Sequence, residues 1–225
     1  MSSASPHDGH PHVEEVVDAA RGAGGDDLAA RVRFLLELDA LKRVHRRSLL
    51  VDASRPENSA EHSWHLALFA LLLAPHAADA IDVPRVVEML LVHDVVEIDA
   101  GDVLVYDTVA MADKARAEAE AADRIFGLLP GAEGARLRGL WEEYEDRATP
   151  EARFAYAVDR LQPVLLNALS GGRTWQDHGV HLGRVLEVNA PIGDAAPELW
   201  VFARAVLDGA VADGRLPSAP SPLPG

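Results

Sequence analysis

Apolar positions along this chain recur at helical spacing, and almost nowhere do they alternate. Leu28, Val32, Leu35, Leu36, Leu38 and Leu41 follow Asp27, a residue suited to an N-cap, and predict a helix to about Val44. Ser59 to Pro75 reads as a buried helix, because Leu66, Leu68, Phe69, Leu71, Leu72 and Leu73 are apolar nearly all round it. Asp82 and Pro84 open a helix running to about Glu97. Met111 to Leu129 is rich in Ala and charge and reads as an exposed amphipathic helix. Leu137 to Arg147 follows, with Leu137, Leu140, Trp141 and Tyr144 on one face. Thr149-Pro150-Glu151 starts a helix through Leu169 that Gly171-Gly172 stops, and Gly179 to Asn189 and Pro197 to Asp213 complete the set. With no internal repeat and no strand alternation, the expected fold class is all-α. The chain of 225 residues fits one domain over residues 26–214, between a disordered leader (1–25) rich in Gly, Ser, Asp and His and a disordered Pro-rich tail (215–225).

Polar residues interrupt these apolar runs in a pattern. Leu90 to Asp102 carries His93-Asp94, then Glu97, then Gly101-Asp102. Helical spacing puts Asp94 and Glu97 about one turn apart, so both address one small volume. An imidazole beside a carboxylate in an apolar segment is costly unless both ligate a metal or find partners. By itself the pair is also what a helix end with a satisfied core His looks like. His62 and Asp159, each inside another apolar helix, change that balance: the four residues supply two nitrogens and two oxygens, a shell that borderline divalent metals favour. Mn, Co, Fe, Ni, Zn and Mg all remain candidates for one such ion.

Charge narrows the partners. With 21 basic against 36 acidic residues the formal charge is -15, a surface that repels nucleic-acid backbones and anionic membranes. A phosphorylated ligand must therefore meet a metal or a local group of cations, and Lys42-Arg43-Val44-His45-Arg46-Arg47 is the densest one. It reads either as a solvated cap on a helix C-terminus or as a phosphate clamp through Arg46 or Arg47. The chain has no Cys, which excludes disulfides, thiolate zinc sites and Cys nucleophiles and suits a reducing cytoplasm. No apolar stretch reaches membrane-span length, and the N-terminus lacks a signal-peptide core.

Glu61-His62-Ser63, Val92-His93-Asp94-Val95-Val96-Glu97, Gly101-Asp102, Trp141-Glu142-Glu143-Tyr144, Thr149-Pro150-Glu151 and Val158-Asp159-Arg160 occur in this order. From about Leu28 to Trp200 the chain resembles the HD-domain metal-dependent phosphohydrolases, in particular their 5′-deoxynucleotidase-like branch. The resemblance implies a single helical bundle with a metal site in its core. It implies that His62, His93, Asp94 and Asp159 bind one divalent metal, that Glu97 is the acid/base, and that Asp102 sits beside substrate and water. In the family an Arg-Trp pair ahead of the first His contacts phosphate and sugar. Counting back from His62, Arg47 fits the Arg and Ser48 stands where the Trp would be, which leaves sugar preference open. The implied activity is removal of the 5′-phosphate from (deoxy)nucleoside monophosphates by metal-activated water, in a cytoplasmic homodimer. Trp141 and Leu199-Trp200-Val201-Phe202 are candidate dimer faces. Alternatives are a phosphohydrolase of another phosphorylated metabolite and a non-catalytic metal- or nucleotide-binding protein. A two-iron oxygenase is disfavoured because no His lies between Asp94 and Asp159, and a guanosine-tetraphosphate hydrolase because Ile98 follows Glu97. His65 is expected behind the site or in the core, Trp175 to Gly179 as a loop over the pocket or a helix connection, Lys114 as solvated, and Asp99 and Asp107 as loop acids.

Overall fold

The computed structural model of the protein describes His10 and residues 12–106 and 110–220; His7, Asp107 and the outer parts of both expected tails lie outside the described residues. The described chain forms α1 (Val13–Glu37), a 3-10 turn (Leu38–Arg43), strands β1 (His45–Leu49) and β2 (Pro56–Asn58), α2 (Ser59–Leu73), α3 (Val83–Val92) and α4 (Glu97–Ala100). After these come α5 (Ala110–Phe126), α6 (Gly131–Asp146), α7 (Pro150–Leu169), α8 (Arg173–Asp177), α9 (Leu182–Asn189), α10 (Pro191–Ala195) and α11 (Pro197–Ala212). The fold is all-α apart from one antiparallel hairpin, β1 against β2.

Caps written in the sequence set the three helices that matter most. Asn58 and Glu61 form a reciprocal capping box at the start of α2. Asp82 caps α3 through the Arg85 N–H, and Thr149 caps α7 through the Ala152 N–H. α7 is the axis of the molecule. Phe154, Ala155, Ala157, Val158 and Leu161 are buried on most of its faces, and it packs against α2, α3, α6, α10 and α11. A second apolar cluster joins Phe34 of α1, Val95 and Val96, Ile125 and Phe126 of α5, and Trp141 of α6. A third gathers Val164, Trp175, Val185 and Leu207.

Several expectations change. The strand pair was missed because its five- and three-residue strands are too short to show alternation, and Pro56-Glu57-Asn58, read as a loop, is its second strand. α3 stops at Val92, so His93 caps it and Glu97 opens the separate turn α4. The leader is helical from Val13, with a break at Gly24 and Gly25 and Val17 buried. Leu216, assigned to the tail, is buried in the third cluster. Trp141 belongs to the core instead of a surface. The α2 helix keeps an exposed face: Trp64, Leu68, Leu71 and Leu72.

One glycine position is under strong constraint. Gly172, the residue before α8, has φ +73, and a Cβ there would lie 2.0 Å from the Arg215 carbonyl oxygen. Gly172→Ala is expected to destabilise the fold by about 1–3 kcal/mol or more, read as a lowered Tm in thermal unfolding. A variant melting with the wild type would show that the α8 turn relaxes freely.

Candidate functional site

Three elements converge on one buried cluster. α2 carries His62 one turn beyond its N-cap Asn58; the end of α3 supplies His93 and Asp94; α7 supplies Asp159 from its middle. His62, His93 and Asp159 are 0%, 4% and 3% exposed and Asp94 is also buried, so no ionisable group here is solvated. Asp159 Oδ1 lies 2.9 Å from His62 Nε2 and 3.9 Å from His93 Nε2, and Asp94 Oδ1 lies 3.0 Å from His93 Nε2. Donor atoms of His62, His93 and Asp94 all fall within 4.8 Å of one another.

Tautomers decide what this cluster can bind. His93 Nδ1–H donates to the Leu90 carbonyl at 2.9 Å, and burial lowers the ring's pKa, so His93 is neutral with its lone pair on Nε2. That lone pair faces the Asp94 carboxylate without a hydrogen bond. Two electron-rich atoms at 3.0 Å, both buried, call for a cation between them. His62 differs: its Nε2 is hydrogen-bonded to Asp159 Oδ1 at 2.9 Å, while Glu57 Oε2 lies 3.2 Å from its Nδ1 without a hydrogen bond. Gln162 Nε2–H donates to Glu57 Oε1 at 2.8 Å and reaches His65 Nδ1 at 3.3 Å, so His65 takes part behind the site. The donor set therefore fits a divalent metal held by two imidazoles and two carboxylates, with a carboxylate behind one imidazole. Glu57→Gln is expected to weaken metal affinity about 10–100-fold in a calorimetric titration. Equal affinity would show that Glu57 does not orient His62.

Around the cluster lies a cavity of about 190 Å³. Arg46 and Ser48 point inward from β1, whereas Arg47, the intervening residue, is exposed and gives its carbonyl to the Thr174 hydroxyl. Arg46 donates to Asp94 Oδ2 at 2.7 Å and stands 3.8 Å from Asp102 and 3.9 Å from Asp159. Burial opposes its charge, yet Asp94, Glu97, Asp159 and Asp102 outweigh that and raise its pKa. Glu97 accepts from the Ser59 hydroxyl at 2.7 Å, and burial followed by the Asp94 charge raises its pKa well above the carboxylate range. Gly101, at φ +75, ends α4 and turns the chain so that Asp102 lines the cavity, where burial raises its pKa too.

Other residues enter that sequence reasoning left without a role. Tyr144 donates to Asp159 Oδ2 at 2.9 Å and Arg160 to the same oxygen at 2.7 Å. Pro163 has no N–H to give the Asp159 carbonyl one turn back, so that carbonyl lacks its usual helical donor beside this ligand. Lys114 is half-buried on the cavity wall and paired with the buried Glu118 at 3.0 Å, not solvated. At the rim the Arg147 guanidinium lies 4.5 Å from the Tyr156 ring centroid. Asp99 is not a free loop acid: it lies on α4 and accepts from Arg124 at 2.5 and 2.7 Å, while Arg124 also holds Glu37. This network fixes the turn that carries Glu97. Trp175 is wholly buried and lies on α8, and Thr174, just ahead of the expected segment, lines the cavity.

Residues 38–200 match the HD domain family. The chain belongs to the HD-domain family. A solved structure described as a predicted metal-dependent phosphohydrolase from Magnetospirillum magnetotacticum MS-1 is 48% identical with a TM-score of 0.82, covering 86% of this chain and 97% of its own. The bovine 5′-deoxynucleotidase HDDC2 (Bos taurus) is 32% identical over 166 residues, 73% of each protein. The mouse protein of the same name (Mus musculus) is 32% identical over 148 residues, 65% of this chain and 71% of its own. Among the described residues, no helix is long and apolar enough to cross a membrane.

Proposed function

We propose that this HD-domain protein is a metal-dependent phosphohydrolase that removes the 5′-phosphate of nucleoside monophosphates, with deoxynucleotides as the first candidates. The observation that carries the reading is the His93 lone pair facing the Asp94 carboxylate, beside Asp159 and the inward nitrogen of His62. The relatives described as 5′-deoxynucleotidases and as a metal-dependent phosphohydrolase support it. In this reading His62, His93, Asp94 and Asp159 hold one divalent metal, which supplies charge neutralisation at a phosphoryl oxygen and acidifies a water.

The chain's own groups do the rest. Arg46, with an unpartnered Nε, holds phosphoryl oxygens by charge-assisted hydrogen bonds. Glu97, with its raised pKa, takes a proton from the attacking water and returns one to the leaving 5′-oxygen as the P–O ester bond breaks. Asp102 orients water and substrate from the cavity wall. Arg47, on the outer face of β1, attracts phosphate at the entrance. The reading includes a cytoplasmic homodimer: the exposed apolar residues of α2 and Val201 and Phe202 of α11 supply surface for it, and sedimentation equilibrium tests it.

Ser48 favours a second reading. It is buried on the cavity wall where a Trp was expected, so the sugar pocket differs and another phosphorylated metabolite becomes an alternative. The deciding experiment is phosphate release from deoxy- and ribonucleoside monophosphates and simple sugar phosphates, after metal stripping and with single divalent metals restored. Metal-dependent turnover led by deoxynucleotides is expected. Turnover confined to non-nucleotide phosphates would select the second reading, and bound metal with no turnover at all would leave a binding protein.

A further inference from the structure

The cavity continues beyond the acidic cluster along α7. Asp159, Pro163 and Asn167 follow one another at four-residue intervals on one face of that helix, and all three line the cavity. Asn167 lies about 12 Å along the helix axis from Asp159 at the usual rise per residue. That span matches the reach from the phosphate to the base edge of an extended nucleoside monophosphate. Asn167 is 4% exposed, and its Oδ1 is buried with no hydrogen-bond partner. Its backbone carbonyl is already committed, accepting from the Gly172 N–H and the Ser170 hydroxyl. The side-chain amide is therefore the group left to meet a ligand.

Its surroundings differ from the metal end. Val105, Tyr106, Pro163 and Val164 give apolar and aromatic walls, and Asn189, whose side-chain N–H donates to the Val185 carbonyl, completes the lining there. These side chains are uncharged; the rest of the lining includes Arg47, Arg147 and Arg160, and Arg46, Asp94, Glu97 and Asp102 gather about the metal cluster. Apolar and aromatic walls beside an unpartnered carboxamide suit a flat heterocycle with polar edges.

We propose that this end of the cavity is the nucleobase subsite, with the Asn167 carboxamide hydrogen-bonding the edge of the base. The proposal rests on the nucleotidase reading above. A carboxamide both accepts and donates, and every nucleobase sets an N–H beside an acceptor on one edge. The pairing thus selects for the presence of a base more than for its identity. A sugar phosphate without a base leaves the Asn167 oxygen unsatisfied, a form of discrimination stronger than shape alone provides.

The test is calorimetric binding of 2′-deoxyadenosine and of 2-deoxyribose 5-phosphate to the wild type, Asn167→Leu and Asn167→Ala, with folding followed by circular dichroism. Leu keeps the volume and removes both polar atoms; Ala reports independently if Leu fails to fold. Expected is a loss of deoxyadenosine affinity about tenfold greater than any loss for the sugar phosphate. Equal losses for the two ligands, or none, overturn the base subsite while leaving the nucleotidase reading intact, provided the wild type hydrolyses nucleotides. A wild type that binds the sugar phosphate and no nucleoside, and releases phosphate from no nucleotide, overturns both.

Discussion

Replacing Asp159 with Ala is expected to cut phosphate release and metal retention sharply together, and to weaken the fold itself. Asp159 is the shared partner of the cluster. One oxygen faces His62 and His93, and the other accepts from Tyr144 and Arg160. Burial works against its charge, but Arg160 and His62 outweigh it and hold its pKa well below the carboxylate range. A depressed folded pKa stabilises the protein above the unfolded value, and that stabilisation is lost only as pH falls through the folded value. At neutral pH it is fully present. Removing the carboxylate leaves the Arg160 guanidinium buried without its anion, at a cost of about 3–5 kcal/mol. Loss of the metal's charge stabilisation adds several kcal/mol at the transition state, on the order of a 10³-fold fall in kcat/KM. Asp159→Asn separates the two effects, since it keeps the volume and an acceptor for Tyr144. It is expected to melt closer to the wild type and still to bind metal poorly. Wild-type metal affinity in Asp159→Asn, measured by calorimetric titration, would remove Asp159 from the ligand set.

Legibility from sequence divides along physical lines. His62, His93, Asp94 and Asp159 stood out because an ionisable group inside an apolar helix must find a partner, and because Asp82 and Thr149 mark the starts of two of the helices that carry them; the Asn58 cap of α2 emerges from the structure. The structure brings those four together, with Glu97 and Asp102 lining the same cavity. Arg46 and Arg47 were not separable: two adjacent basic residues look alike in sequence, and only the two-residue period of β1 turns one inward and the other out. That period was hidden by the brevity of the strand. The roles of Tyr144 and Glu57 give no signal in sequence because their partners lie far along the chain, and periodicity does not tell that Arg160 turns back onto its neighbour Asp159. Lys114 was misjudged for a related reason. An amphipathic pattern tells which face is apolar, but not that a neighbouring cavity will draw in a Lys–Glu pair. Composition misled at the ends, where Val17 and Leu216 gain burial from packing that a Gly- or Pro-rich context does not announce.

Glu97→Gln should separate chemistry from binding. Glu97 lies outside the metal shell, held by the Ser59 hydroxyl at 2.7 Å, and the Asp99–Arg124 pair fixes its turn. Gln keeps the shape and the bond to Ser59 but neither accepts the proton of water nor returns it to the leaving oxygen. The expected result is metal affinity near the wild-type value with kcat lowered about 10²–10⁴-fold. The pH profile adds a second readout. Burial and then the Asp94 charge raise the Glu97 pKa, and proton acceptance needs the ionised form, so wild-type kcat should fall as pH drops through that raised value. The variant should lose this acidic limb. Stability should move the other way. A carboxyl whose folded pKa exceeds its unfolded value makes the protein less stable as pH rises from the unfolded value to the folded one, and Gln carries no such penalty. The metal-free variant is therefore expected to melt above the wild type, by a margin that grows with pH over that interval. A slower enzyme that is a more stable protein is what a carboxyl buried for proton transfer produces. Undiminished kcat in Glu97→Gln, with metal bound, would pass the proton-transfer role to Asp102.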